Sequence, residues 1–410
     1  SSEPWLQKVS EIDELALRLS AGRSGNDLNT PYRSLARMDV STSGYIFDGS
    51  VPAGYYQSRI ESPNLTWEKT DTYNIALDGS FWNSRMSFSL DAYLAKTSDL
   101  LLTVQTPQHT GYSTRYSNIG ATTTQGVELT LNTRNIVRRN FTWTSTFTIS
   151  HSESMVNDLG NESYIKSMSS PEGGTMMAGY VNGYPLNAFW GYEYGGVWHS
   201  KDEIARNTVT HAYAGPTSTA DAAGYSLGSA RYIDQNHDGA LDTNDIVYLG
   251  SPDPIVAGGF NNTFSIKGFK IGVFLTYSIG GKVYNWSEYY LGGARRTNQY
   301  RYMLNAWHPI MNPDSDLPRA GINDGSAQPS SFMVHDASFL RLKNVSLGYN
   351  FSLKNKVLRE INLTVSGENL YLLSSYNGFD PDVSVDNVRR MDQSNYPKAS
   401  RVVLSVNLKY

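Results

Sequence analysis

The lengths of the connections between alternating stretches constrain this chain more than any other feature. Tyr73, Ile75, Leu77 and Phe81 alternate with Asn74, Ala76, Asp78 and Ser80; beyond Trp82 to Ser84 the pattern resumes at Met86, Phe88, Leu90, Ala92 and Leu94. A period of two puts successive side chains on opposite faces of a strand, so this reads as a hairpin of two long strands with a short turn. A second pair runs through Val127, Leu129 and Leu131, turns at Asn135 to Asn140, and leaves through Phe141, Trp143, Phe147 and Ile149. Its other face carries Thr142, Thr144, Thr146 and Thr148, and β-branched Thr suits a strand. A third joins Phe260, Asn262, Phe264 and Ile266 to Phe269, Ile271, Val273, Leu275 and Tyr277 across Lys267 and Gly268. A fourth joins Ser338 to Phe351 with Ile361 to Leu370. With a front strand at Leu15, Leu17 and Leu19, halted at Gly22 to Asp27, and a last one in Ala399 to Tyr410, the chain holds about ten strands.

Short turns fall near residues 83, 137, 268 and 355, and long loops at 22–69, 97–123, 153–257, 280–336 and 371–398. Long loops on one rim and short turns on the other are the layout of a transmembrane β-barrel of the bacterial outer membrane. A soluble β-sandwich has no reason to segregate its loops this way. The fold class expected is therefore all-β, an antiparallel transmembrane β-barrel, with both chain ends on the short-turn, periplasmic side.

Composition agrees. No window approaches the roughly 18 consecutive apolar residues of a membrane helix, and the 40% hydrophobic content suits strands that show lipid only every second side chain. A net charge of -4 from 34 basic and 38 acidic residues spread along the chain leaves no basic stripe for nucleic acid. Without Cys there is no disulfide, thiolate catalyst or Cys-ligated zinc.

Val402, Leu404, Val406, Leu408 and Tyr410 share one face of the last strand, opposite Val403, Ser405, Asn407 and Lys409. An apolar alternation ending on an aromatic residue resembles the C-terminal insertion signal of outer-membrane barrels. Four longer strings, Ser62 to Asp78, Ser117 to Asn132, Gly258 to Phe269 and Ala337 to Tyr349, resemble in order the SusC-like branch of TonB-dependent transporters of Bacteroidota. That resemblance covers essentially the whole chain. It implies the C-terminal half of a barrel of about 22 strands, completed by an upstream polypeptide carrying the plug and the remaining strands. It further implies outer-membrane lipid around the barrel, a SusD-like surface lipoprotein as a lid, the TonB complex as energy source, and an oligosaccharide or peptide as cargo. The start at Ser1, without Met, fits an expectation that the chain is one piece of such a transporter.

The sharpest local motif is Asp234 to Asp245, inside the 153–257 loop. Asp234, Asn236 and Asp238 stand at positions 1, 3 and 5, Gly239 at 6, the Ala240 carbonyl at 7, and Asp242 and Asp245 at 9 and 12. This is the spacing of a calcium loop, with Asp at position 12 where Glu is usual. It predicts a structural Ca2+ site, or a loop of Asx turns without metal. Aromatics crowd two loops, among them Trp190, Tyr192 and Tyr194, then Trp286, Tyr289 and Tyr290, beside Arg295 and Arg296. They read as a platform for substrate or lid, or as girdle and loop interior. No H-E-x-x-H or G-x-S-x-G motif occurs, and no catalytic residue is singled out. Two alternatives remain open: a self-contained ten-stranded outer-membrane barrel acting as a protease, or a passive porin.

Overall fold

The computed structural model describes residues 9–27, 32–41, 46, 54–112, 114–169, 175–206, 210–211, 226–292, 298–320, 328–353, 358–385 and 388–410. Ten long strands dominate: β1 (Ile12–Asn26), β2 (Glu68–Phe81), β3 (Met86–Ser98), β4 (Ala121–Arg138), β5 (Phe141–Asp158), β6 (Val256–Ile266), β7 (Phe269–Ile279), β8 (Phe339–Ser352), β9 (Glu360–Ser374) and β10 (Arg401–Lys409). They form one antiparallel sheet in chain order. Among the described residues β1 pairs only with β2, and β10 only with β9. The sheet is part of a barrel wall, open at both edges.

Register turns the alternation of single strands into a continuous belt. Leu17, Leu77, Leu90, Leu129 and Ile149 stand opposite one another across β1 to β5. The row continues through Gly258, Tyr277, Leu340 and Leu373 across β6 to β9. Nearer the short turns, Trp143, Phe264, Ile271, Leu347, Val365 and Leu404 form another such row. Leu17, Leu347, Val365 and Leu404 are exposed, as apolar side chains facing lipid must be when lipid is the solvent. Between aromatic ends at Phe269 and Tyr277, β7 shows this face for about nine residues, enough for a tilted strand to cross the hydrocarbon layer. Gly258 interrupts the row for a reason: Tyr277 lies across it to donate to the Thr148 carbonyl at 2.9 Å, and a Cβ there would meet that carbonyl oxygen at 2.0 Å.

The turns are built locally. Lys267 and Gly268 have φ of 45° and 94°, the left-handed pair that a two-residue hairpin requires. At Trp82 to Ser84, three positive φ values are held by Asp13, whose carboxylate accepts the Asn83 and Ser84 amides at 3.1 and 2.8 Å. The expected turn near residue 355 lies outside the described residues.

Several expected boundaries shift. β1 does not stop at Gly22 but runs to Asn26, because its last residues pair with Glu68 to Thr72 and Arg23 binds Asp71 through two bonds of 2.6 and 2.7 Å. β5 runs to Asp158 and β6 starts at Val256, so the third long loop spans 159–255. The first two long loops are also not wholly irregular. One carries a ribbon of Arg37–Ser41 with Gly54–Arg59, the other a ribbon of Leu101–Gln105 with Thr114–Asn118. The Arg33 guanidinium stacks over the Tyr116 ring at 4.5 Å, linking the two loops.

Val273→Arg, in the middle of the apolar face of β7, is expected to cost about 2–4 kcal/mol when the complete receptor is unfolded reversibly from lipid vesicles. Asn261→Arg, on the polar face of β6, should stay within about 0.5 kcal/mol.

Candidate functional site

The longest loops do not hang free but share a buried core. The 159–255 loop brings in Met177, Ala178 and Phe189; the β7–β8 loop Tyr284, Trp286, Tyr289 and Met333; and the β9–β10 loop Val388 and Met391. Backbone pairing supports the packing. Tyr164–Ser169, Met176–Val181, Ala188–Gly191 and Val247–Gly250 make a four-stranded sheet. Lys282–Asn285 pairs antiparallel with Val334–Asp336 on one side and parallel with Met391–Asp392 on the other, so one short strand ties two loops together.

This core takes most of the aromatics expected at a contact surface. Tyr192 is 0% exposed, Trp286 and Tyr289 2%, and Trp190 6%. Trp286 stacks on Tyr289 at 4.2 Å, and Trp190 packs edge-on to Tyr184 at 4.9 Å. Tyr192, Trp286 and Tyr289 therefore act as packing, whereas Trp190 also lines a cavity of about 310 Å³ beside Tyr164, Lys166 and Ile246. Tyr194 and Tyr290 remain half-buried. The Tyr194 hydroxyl donates to the Asp316 carbonyl at 2.6 Å, and burial pushes it far above the ordinary tyrosine range. Arg295 and Arg296 lie outside the described residues.

The polar groups between the loops escaped the sequence reading. Glu288 is buried, accepting from Tyr302 at 3.1 Å and lying 2.5 Å from the His335 Nε2. The Tyr376 hydroxyl donates to Asp392 at 2.6 Å; burial, reinforced by that carboxylate, pushes it far above the ordinary range. Arg341, on the polar face of β8, forms a buried ion pair with Asp380 at 2.6 Å. Arg390 reaches Ser278 Oγ, on the polar face of β7, at 2.6 Å, and the Gly280 carbonyl at 3.0 Å. The last loop is therefore folded back over the polar face of the sheet rather than outward over lipid. Lys398 secures its flank through Asp382 at 2.6 Å. Burial raises the Asp382 carboxyl, but the Lys398 bond and nearby arginines outweigh it and hold the group below its usual range. That contribution to loop anchorage is present above the ordinary carboxylate pKa and is lost as pH falls through the depressed value.

The calcium-type loop is closed by its own hydrogen bonds. Asp234 accepts the amides of His237 and Gly239 at 2.7 and 3.0 Å. Asn236 and Asp238 accept those of Asp238 and Ala240 at 3.1 and 2.8 Å, and Asp242 accepts that of Asn244 at 2.7 Å. Asp245, fully buried, takes the Gln235 and Asp242 amides, both at 2.8 Å. Among the described residues no three His, Cys, Asp or Glu are placed to hold a metal ion. Each carboxylate oxygen in these bonds accepts one backbone amide and keeps a second lone pair, so the Asx turns are compatible with a bound calcium ion as well as with a metal-free loop.

An antiparallel wall with an apolar belt, a polar inner face and a folded cap of long loops on one rim defines a portion of a large outer-membrane barrel. The family described as "TonB dependent receptor-like, beta-barrel" matches residues 10–370, and the chain belongs to that family. It is thus an outer-membrane β-barrel protein, with the long loops on the extracellular side. It is 32% identical to TonB-dependent receptor P26 of Formosa agariphila, which matches all of this chain over 41% of its own length. TonB-dependent receptor SusC of Bacteroides thetaiotaomicron is 26% identical, again over the full chain and 39% of its own length. The chain spans about two fifths of the curated relatives it matches. The structure of the RagAB peptide transporter covers 99% of the chain at a TM-score of 0.77 and 24% identity, using 42% of its own chain. That likeness shows the fold, and the SusC-like resemblance holds.

Asp245→Ala leaves two backbone amides without acceptors and should cost the loop about 1–3 kcal/mol, seen as faster hydrogen exchange at the Gln235 and Asp242 amides. Titrating calcium against those rates separates a metal-bound loop, in which they slow, from a metal-free one, in which they do not change. Arg341→Leu alone leaves the buried Asp380 with only Lys398, at 3.9 Å, and the Asp382 amide, and should cost about 3 kcal/mol, read by hydrogen exchange across 376–392, whereas Arg341→Leu with Asp380→Leu should recover part of it.

Proposed function

We propose that this chain forms the C-terminal portion of the barrel wall and the outer vestibule of a TonB-dependent importer. The cargo is an oligosaccharide or a peptide. The observation that carries the reading is the ten-stranded sheet, open at both edges, in a chain matched by the TonB-dependent receptor barrel family over residues 10–370. An open edge in hydrocarbon leaves backbone N–H and C=O groups without partners, at several kcal/mol each. Further strands must therefore pair with β1 and β10, and an upstream polypeptide carrying them together with the plug would close the barrel. The extracellular cap of loops would form the vestibule and the seat for a SusD-like surface lipoprotein, with the TonB complex acting through the plug. Of the six loop aromatics expected at a contact surface, Tyr194 and Tyr290, both half-buried, and Trp190 at its cavity are still able to touch cargo or lid. The self-contained ten-stranded protease or porin is disfavoured, because either would need β10 to close on β1.

Purification of the receptor from its own outer membrane, followed by mass spectrometry, should recover this chain with plug-bearing polypeptide and a surface lipoprotein. Uptake of the cargo should stop when TonB is deleted or the proton gradient is collapsed. A lone chain that forms a closed, TonB-independent barrel would overturn the reading.

A further inference from the structure

Two short strands on the extracellular side end their sheets without a neighbour. Among the described residues, Tyr164–Ser169 is the outermost strand of the four-stranded sheet and pairs only with Met176–Val181. Leu101–Gln105, in the loop between β3 and β4, pairs only with Thr114–Asn118. Both strands border one cleft of about 750 Å³, whose lining includes Leu101, Leu102 and Thr103 from the first loop and Tyr164, Ile165 and Lys166 from the second. The cavity of about 310 Å³ beside Trp190 adjoins this cleft, sharing Tyr164 and Lys166 with it, and is walled further by Met176, Val181 and Ile246. The Trp190 Nε1 is buried without a hydrogen-bond partner among the described residues. A free strand edge is a row of unpaired N–H and C=O groups, which proteins usually blunt with charge or proline. Leu101–Gln105 reads L-L-T-V-Q and carries neither, and Tyr164–Ser169 carries a single Lys.

We propose that the cleft between these edges binds an extended peptide as an added strand, with one of its side chains seated in the Trp190 cavity. The inference rests on the importer reading above and makes peptide the cargo. A strand edge repeats its donor and acceptor every second residue, about 6.6 Å along the chain, and what matches that repeat is another backbone. A sugar chain has hydroxyl donors and acceptors but not at this spacing. The five residues of Leu101–Gln105 extend about 17 Å, so a peptide of five or six residues covers the edge. Alternate side chains of the added strand fall on the face that carries Tyr164 and Lys166. There the cavity walls, mostly apolar, favour an apolar or aromatic side chain, and an acceptor at its tip, such as a tyrosine hydroxyl, would satisfy the indole N–H.

The test uses the complete receptor purified from the outer membrane and five acetylated, amidated hexapeptides Thr-Val-Thr-Xaa-Thr-Lys, in which Xaa is Ala, Val, Leu, Phe or Tyr. At ten times its dissociation constant, a bound peptide should slow hydrogen exchange about tenfold at outward-facing amides of both 101–105 and 164–169. Phe or Tyr at the variable position should bind about tenfold more tightly than Ala. The donors of a strand held between two edges point to each in turn, so N-methylation of either alternate set of peptide nitrogens should weaken binding about fivefold or more. Thr103→Cys carrying a fluorescein maleimide should lose the binding. The same label at Lys201→Cys, exposed and outside the lining of both cavities, should leave it intact.

Unchanged exchange at either edge with all five peptides, or loss of affinity for only one N-methylated set, would overturn the proposal. So would equal protection by maltohexaose, or peptide binding that the Thr103 label does not disturb. Uptake of the hexapeptides by cells should stop when TonB is deleted. Protection at both edges with TonB-independent entry would sink the importer reading and leave the site standing, whereas TonB-dependent entry without protection would sink the site alone.

Discussion

Everything in this structure follows from a backbone that must satisfy its own hydrogen bonds where no water is present. Ten strands pair in chain order so that each inner strand, β2 to β9, has a neighbour on both sides. Once that ladder exists, the pleat sorts side chains without further instruction: Leu77, Leu90 and Leu129 go to lipid, while Asp78, Asp91 and Glu128 go to the interior. A slip of one residue in any strand would exchange the two sets. Arg18 illustrates how tightly register is used, because it meets Asp78 and Asp91 across two strands at once.

The same constraint explains the loops. On one rim the chain reverses within a few residues and needs no support beyond a left-handed turn or a carboxylate such as Asp13. On the other rim long segments leave the ladder, and a folded segment must bury apolar surface and pair its polar groups by some other route. Three of them do so together, with Phe189, Trp286 and Met391 in one core and the Arg341–Asp380 pair fastening the last loop to the wall. The cap is in effect a small globular body built from pieces far apart in sequence.

The distance between those pieces marks what the sequence could convey. A strand of period two, a Lys-Gly turn or a Thr row is local, so β2, β3, β6 and β7 were legible almost to the residue. The burial of Trp286 and Tyr289 depends on Phe189 and Met391, about a hundred residues away on either side, and a cluster of rings reads the same whether it faces solvent or another loop. The Asp234 to Asp245 spacing is ambiguous for a related reason. Oxygens at alternate positions around a Gly can bind the loop's own amides with or without a cation between them, and the sequence is the same in both cases. Arg341 and Asp380 offered a weaker signal: a charge at a polar-face position of a strand, with nothing in the sequence to say which acid of a later loop it meets.

The short strand Lys282–Asn285 has a consequence for the order of assembly. Its parallel partner, Met391–Asp392, comes after nearly all of the wall has been synthesised, and closing so long a loop carries an entropic cost that only the finished neighbouring strands reduce. The cap must therefore set last, after β8 and β9 have brought residues 285 and 391 to the same rim. A wall that has not been completed would present loops that are long, apolar and still unassembled, so the outer surface of the receptor reports on whether its buried part has finished folding.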